Sequence, residues 1–185
     1  MPRRAKTEAG NIFEIPLADG GLAYGMVIKS PLAAFFDFRF SERPSLDLIV
    51  SQPVAFRIWI MNAALGKQGW KIIGSAPVPE ALAVPAVFYK FDTIARKFSL
   101  YSSPTETPAT REECIGLECA AAWSACHVES RLSDHFAGQP NRFVQSLSAT
   151  NRPLRRTANI QARNGCRQRL VWHPSCQQRL ALAVA

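Results

Sequence analysis

GNIFEIPLADGGLAYGMVI, residues 10–28, decides the fold, because it reads from end to end as one β-hairpin. Phe13, Ile15 and Leu17 alternate with Glu14 and Pro16, and Leu22, Tyr24, Met26 and Ile28 alternate again beyond the break. An apolar period of two marks a strand with one face toward a core. Between the two runs stand Asp19, Gly20 and Gly21. Asp tolerates a left-handed backbone and bonds to its own chain, and Gly takes positive φ without steric cost, so this step suits a tight reversal.

The alternation continues outward from the hairpin. In AFFDFRF, Phe36, Phe38 and Phe40 fall on one side and Asp37 and Arg39 on the other, the pattern of a half-buried strand. In VAFRIWIM, Val54, Phe56, Ile58 and Ile60 share one face while Ala55, Arg57, Trp59 and Met61 share the other, which predicts a central strand covered on much of both sides. Residues 62–69 form a connection, and WKIIG at 70–74 gives a short strand. SAPVPEALAVP carries Pro77, Pro79 and Pro85 and is a loop or a sheet edge, because proline lacks the donor that a central ladder needs. AVFYKF around Phe88 and FSLY at 98–101 close the β region.

Pro104 and Pro108 among Ser and Thr mark residues 102–110 as a connector. A helix is expected after it, since Thr110 and Glu113 have the spacing of a capping box. Leu117, Ala120, Ala121, Trp123, Ser124, Val128, Leu132 and Phe136 then recur at roughly helical spacing as far as Gly138. On that helix Cys119 and Cys126, seven apart, share one face. A shorter helix starting near Pro140 presents Phe143, Val144 and Leu147 to the same core. The expected fold is mainly β within the α+β class: a curved antiparallel sheet or a small SH3-like barrel, with one or two C-terminal helices and an irregular basic tail. Trp59, Trp70, Trp123, Phe36 and Phe56 belong to its core, and Tyr24 is partly exposed.

Length and charge narrow the classes. A chain of 185 residues buries one substantial core, so residues 8–148 are read as one domain and residues 149–185 as an appendage. The formal charge of +8 divides unevenly: residues 1–148 hold 15 Lys and Arg against 14 acids, and residues 149–185 hold 7 Arg and no acid. The basicity therefore belongs to the tail, which has too little clustered apolar surface to offset the entropy of ordering and is expected to be disordered. No apolar run is long enough to span a bilayer, and the basic start MPRRAKTEAGN lacks the apolar stretch of a secretory signal, so a cytoplasmic location is expected. The odd count of five cysteines, Cys114, Cys119, Cys126, Cys166 and Cys176, fits reduced thiols better than a disulfide framework.

The hairpin, FFD at 35–37, the apolar strand beginning at Val54 and WKIIG together resemble the immunity protein 26 family of bacterial polymorphic toxin systems. ECIGLECAAAWSACHVESRLSDHFAGQPNRFVQSL, residues 113–147, is similar to the helical end of longer relatives, so the resemblance extends over about residues 8–148. It implies a mostly β domain that binds a cognate toxin in the producing cell and blocks it by protein–protein contact, with no chemistry of its own.

Constellations that would carry other functions are thin. Cys114 with Cys119, and the tail group Cys166, His173 and Cys176, lack the Cys-x-x-Cys pairs of a structural zinc site, and neither metal nor cofactor is expected. His127, Arg131, Asp134 and His135 align along one helix face, an arrangement that permits acid–base chemistry but more simply forms a solvated face with an Arg131–Asp134 ion pair. A Gly-x-Ser-x-Gly elbow and a phosphate-cradling glycine loop are both absent. The Arg-rich tail makes a nucleic-acid-binding module the alternative reading, although no basic and aromatic stripe on the strands accompanies it. Residues 101–137 carry a net charge of −4, from six acids against Arg111 and Arg131, and would steer a basic toxin. Glu112 and Glu113 complement a helix start, which leaves Glu118, Glu129 and Asp134 as the candidate toxin-facing residues.

Overall fold

The residues around the Asp-Gly step form the hairpin that opens the fold. Strands β1 (Asn11–Pro16) and β2 (Leu22–Lys29) pair antiparallel, with Ile12 opposite Met26 and Pro16 opposite Leu22. Gly20 sits at φ +84°, and Asp19 Oδ1 accepts from the Gly21 N–H at 3.0 Å, so the turn uses the backbone freedom and the side-chain bond its residues offer. Gly25 answers a different need: an added Cβ would stand 2.4 Å from the ring of Phe13, its cross-strand partner. The computed structural model describes residues 7–66 and 69–153. They fall in one compact unit, Met1–Arg155; the second unit, Arg156–Ala185, lies outside the described residues, and so do most of the expected tail, Cys166, His173 and Cys176.

Beyond the hairpin, β3 (Leu32–Phe40) returns along β2, and the single helical turn α1 (Leu46–Val50) leads into β4 (Val54–Ile60), which pairs antiparallel with β3. Strand β5 (Lys71–Ser75) bonds to the free side of β1. The proline-rich segment holds one turn of helix, α2 (Glu80–Ala83). A meander follows: β6 (Phe88–Asp92), β7 (Lys97–Ser102) and β8 (Thr105–Ala109). After the short helix α3 (Arg111–Cys114), β9 (Glu118–Cys119) runs parallel to β6 and β10 (Ala122–Trp123) runs parallel to β4. Helices α4 (Ala125–Phe136) and α5 (Arg142–Ser146) come last. Two sheets result, in the orders β10-β4-β3-β2-β1-β5 and β8-β7-β6-β9.

The expected mainly β, α+β fold with C-terminal helices is observed, but the sheets are open and no barrel closes. The physical reason lies in β2, where every residue from Ala23 to Ile28 is buried. A small barrel buries only its inner face, whereas this sheet is a middle layer. On one face Phe13, Phe35, Phe56, Ile58 and Trp70 pack with Val128 and Leu132 of α4 and with Phe143, Val144 and Leu147 beside them. On the other, Ile12, Tyr24, Met26 and Phe36 pack under Ile49 of α1, and Ile28 and Ala34 lie under Leu82 of α2.

Four sequence expectations are corrected. The continuous helix from Thr110 to Gly138 is broken: the Thr110–Glu113 capping box forms, yet Gly116 at φ +84° ends that turn, and the chain crosses between the sheets through β9 and β10 before α4 begins. Cys119 therefore lies on a strand and Cys126 on a helix. Residues 105–109, expected as connector, form the edge strand β8, where Pro108 is tolerated because its missing donor faces away from the ladder. Strand β3 is not half-buried as expected: Phe35 and Phe36 are both buried, on opposite faces of a sheet covered on both sides, while Phe38 is 45% exposed. Tyr24, expected partly exposed, is fully buried with its hydroxyl donating to Glu14 at 3.1 Å.

Candidate functional site

Helix α4 gathers the charged residues that the sequence singles out, and each finds a partner inside the fold. Arg131 is 8% exposed and reaches across to Glu118 on β9, with N–O distances of 3.1 and 2.5 Å. Its guanidinium lies 3.8 Å from the Phe56 ring centre and 5.1 Å from that of Trp123, so one side chain links both sheets to the helix. Glu129 accepts from the Trp70 indole N–H at 2.8 Å. Asp134 accepts from the Asn141 amide at 2.7 Å, and the Asn141 carbonyl oxygen in turn caps α5 through the Phe143 and Val144 N–H groups. Glu118, Glu129 and Asp134 are thus half-buried and engaged, each with a different neighbour.

The acid–base face does not assemble. Arg131 turns to Glu118 rather than to Asp134, which corrects the expected pairing along the helix. The two imidazoles part company: His127 stacks on Phe143 with centres 3.9 Å apart, and His135 Nε2 lies 2.6 Å from Asp37 Oδ1 of β3. Among the described residues no three His, Cys, Asp or Glu side chains stand close enough to hold a metal ion. Cys114 is buried in the core of the second sheet, and that burial pushes its thiol pKa up, away from reactivity.

The concave surface lies elsewhere, at the seam between the sheets. A cleft of about 370 Å³ opens between the Lys29–Leu32 corner of the first sheet, the Leu82–Ala86 segment and the near end of the second sheet. Trp59 forms its floor, with the Phe88 ring centre 5.1 Å away and Tyr101 edge-on at 5.6 Å. Strand periodicity puts these aromatics there. Trp59 belongs to the face of β4 opposite the buried Phe56, Ile58 and Ile60, and Phe88 and Tyr101 are cross-strand partners on the face of the second sheet that otherwise carries Lys90, Asp92, Lys97 and Ser99. Arg57 donates to the Val84 carbonyl at 3.1 Å and pins the rim, where Val84 is 59% exposed. Lys90 sits 3.8 Å over the Tyr101 ring and 2.6 Å from Glu106, whose carboxyl pKa is lowered by that bond.

Sequence reasoning placed Trp59 in the core and did not single out Phe88 or Tyr101. The usable signal was the second face of VAFRIWIM, where a tryptophan stands between Arg57 and Met61 beside a proline-rich segment that cannot cover it as a strand. Trp70, Trp123, Phe36 and Phe56 are buried as expected, and Trp59 is half-buried.

No helix among the described residues is long and apolar enough to cross a membrane. Comparison with curated proteins and with solved structures finds no match. A family model for immunity protein 26 matches residues 8–100, half of the chain, from the strand β1 through β6 and into β7. The hairpin, the Phe35 and Phe36 strand, β4 and the WKIIG strand on which the resemblance rested all fall within that span, and on this match the chain belongs to the immunity protein 26 family.

Proposed function

We propose that this chain neutralises a cognate polymorphic toxin by binding it and covering its active site or substrate groove, inside the cell that makes both. The family match over residues 8–100 carries this reading. The surface supports it: an apolar cleft with an aromatic floor suits a partner's anchor side chain, and the His127–His135 face is divided among structural partners. The chain acts by occupancy and has no chemistry of its own. Residues 101–137, with net charge −4, steer a basic toxin over long range, and Glu118, Glu129 and Asp134 add to that field while their oxygens stay bonded within the fold.

The test is co-expression in bacteria. If the adjacent reading frame encodes a large secreted protein with a variable C-terminal domain, that domain is induced with and without this chain, and growth is followed. Rescue by this chain is expected. Equal killing in both cultures would sink the reading.

A further inference from the structure

We propose that the cleft over Trp59 receives a toxin segment presenting one aromatic or branched aliphatic side chain next to a carboxylate. The inference rests on the immunity reading and names the chemistry of the contact. Leu32, Trp59, Leu82, Phe88 and Tyr101 give the cleft its apolar wall, and a volume of about 370 Å³ holds one large side chain and part of its neighbours. Anchors of this kind, set in a desolvated pocket, dominate protein–protein affinity. The rim is held before any partner arrives, by Arg57 on the Val84 carbonyl.

Charge selects what accompanies the anchor. Lys29 is the one charged residue lining the cleft; it is exposed and has no ion-pair partner among the described residues. The nearby cations are already engaged, Lys90 by Glu106 and the Tyr101 ring, and Arg57 by the Val84 carbonyl. The free positive charge at the mouth therefore favours a carboxylate beside the anchor and disfavours the chain's own residues 149–185, which hold seven arginines and no acid. A second copy of this chain is the rival occupant. Its β6–β7 turn offers Ile94, 93% exposed, two residues after Asp92, but that carboxylate is already bonded to the Ile94 and Ala95 N–H groups at 2.8 and 2.9 Å.

The experiment measures binding of the full chain to the domain used in that co-expression test, by calorimetry, together with rescue of growth. Lys29→Glu reverses the free charge and Ala83→Arg plugs the mouth; both positions are exposed, and circular dichroism checks folding. Lys29→Glu should weaken binding at least about tenfold, Ala83→Arg more, and Lys29→Arg by less than about threefold. Glu42→Lys, at an exposed position outside residues 101–137 and outside the cleft lining, is the control and should leave binding through the cleft intact. If the wild-type chain binds and protects while Lys29→Glu and Ala83→Arg bind as well as it does, the cleft proposal falls and the immunity reading stands. If the wild-type chain neither binds nor protects, both fall. A dimer seen by light scattering that Lys29→Glu dissolves would give the cleft to a second copy and overturn the proposal.

Discussion

The two sheets divide the labour of the fold. The six-stranded sheet is covered on both faces, and Phe13 stacks on Trp70 at 5.3 Å while Phe35 stands edge-on to both and stacks on Phe56 at 5.0 Å. The four-stranded sheet packs one face around Tyr89, Phe98 and Cys114 and leaves Lys90, Asp92, Lys97 and Ser99 on the other. Stability is concentrated in the first and accessible chemistry at the border of the second. The largest expected effect tests this directly. Phe35→Ala should cost about 3–5 kcal/mol of unfolding free energy, and Phe98→Ala the low end of that range or less, because its cluster is smaller. Urea denaturation reads both, and equal losses would break the contrast.

Next in size is the tie between the sheets. Arg131→Met keeps most of the packing on Phe56 and Trp123 but strands Glu118 without its cation, and Glu118 is 30% exposed, so the loss should be about 2–3 kcal/mol rather than the larger figure for a sealed pair. The double variant with Glu118→Gln should lose less than the sum of the two single changes. Additive losses would mean that the pair does not couple β9 to α4.

How much of this was legible depends on what wrote the pattern. Strands β1, β2, β4 and β5 were readable within a residue or two, because a period of two along Phe13, Ile15 or Phe56, Ile58, Ile60 follows from burial on a sheet face. Helix α5 and its dock were readable from Pro140, Phe143 and Leu147. The stretch from 110 to 124 was not, for its apolar residues serve three short elements on two sheets, and only Gly116 hinted at the break. Strand β8 escaped because an edge strand with exposed Thr and Glu carries no apolar alternation. The cleft escaped for a related reason: it joins Trp59 to Phe88 and Tyr101 across a seam that no local period records. Conversely, Glu118, Glu129 and Asp134 stood out as charges, while their bonds to Arg131, Trp70 and Asn141 depend on tertiary placement.

The smallest effect separates the sheets by pH. Tyr24 in the first sheet and Tyr89 in the second are both fully buried, and burial pushes each phenol pKa up to about 12. Each folded-state pKa is raised above its unfolded value of about 10, so the stability it contributes is complete below pH 10 and is lost as pH climbs through 12. Tyr24→Phe loses the hydrogen bond to Glu14, and Tyr89→Phe the one to the Leu147 carbonyl, so each should be about 1 kcal/mol less stable than wild type at pH 7. Above pH 10 that deficit should shrink, since a phenylalanine has no proton to release on unfolding. If the sheets unfold as one unit, the two variants narrow the deficit alike whichever spectroscopic probe is followed. If the less covered second sheet opens first, Tyr89→Phe alone delays the first alkaline transition. An early transition delayed by Tyr24→Phe instead would reverse the assignment of the stable sheet.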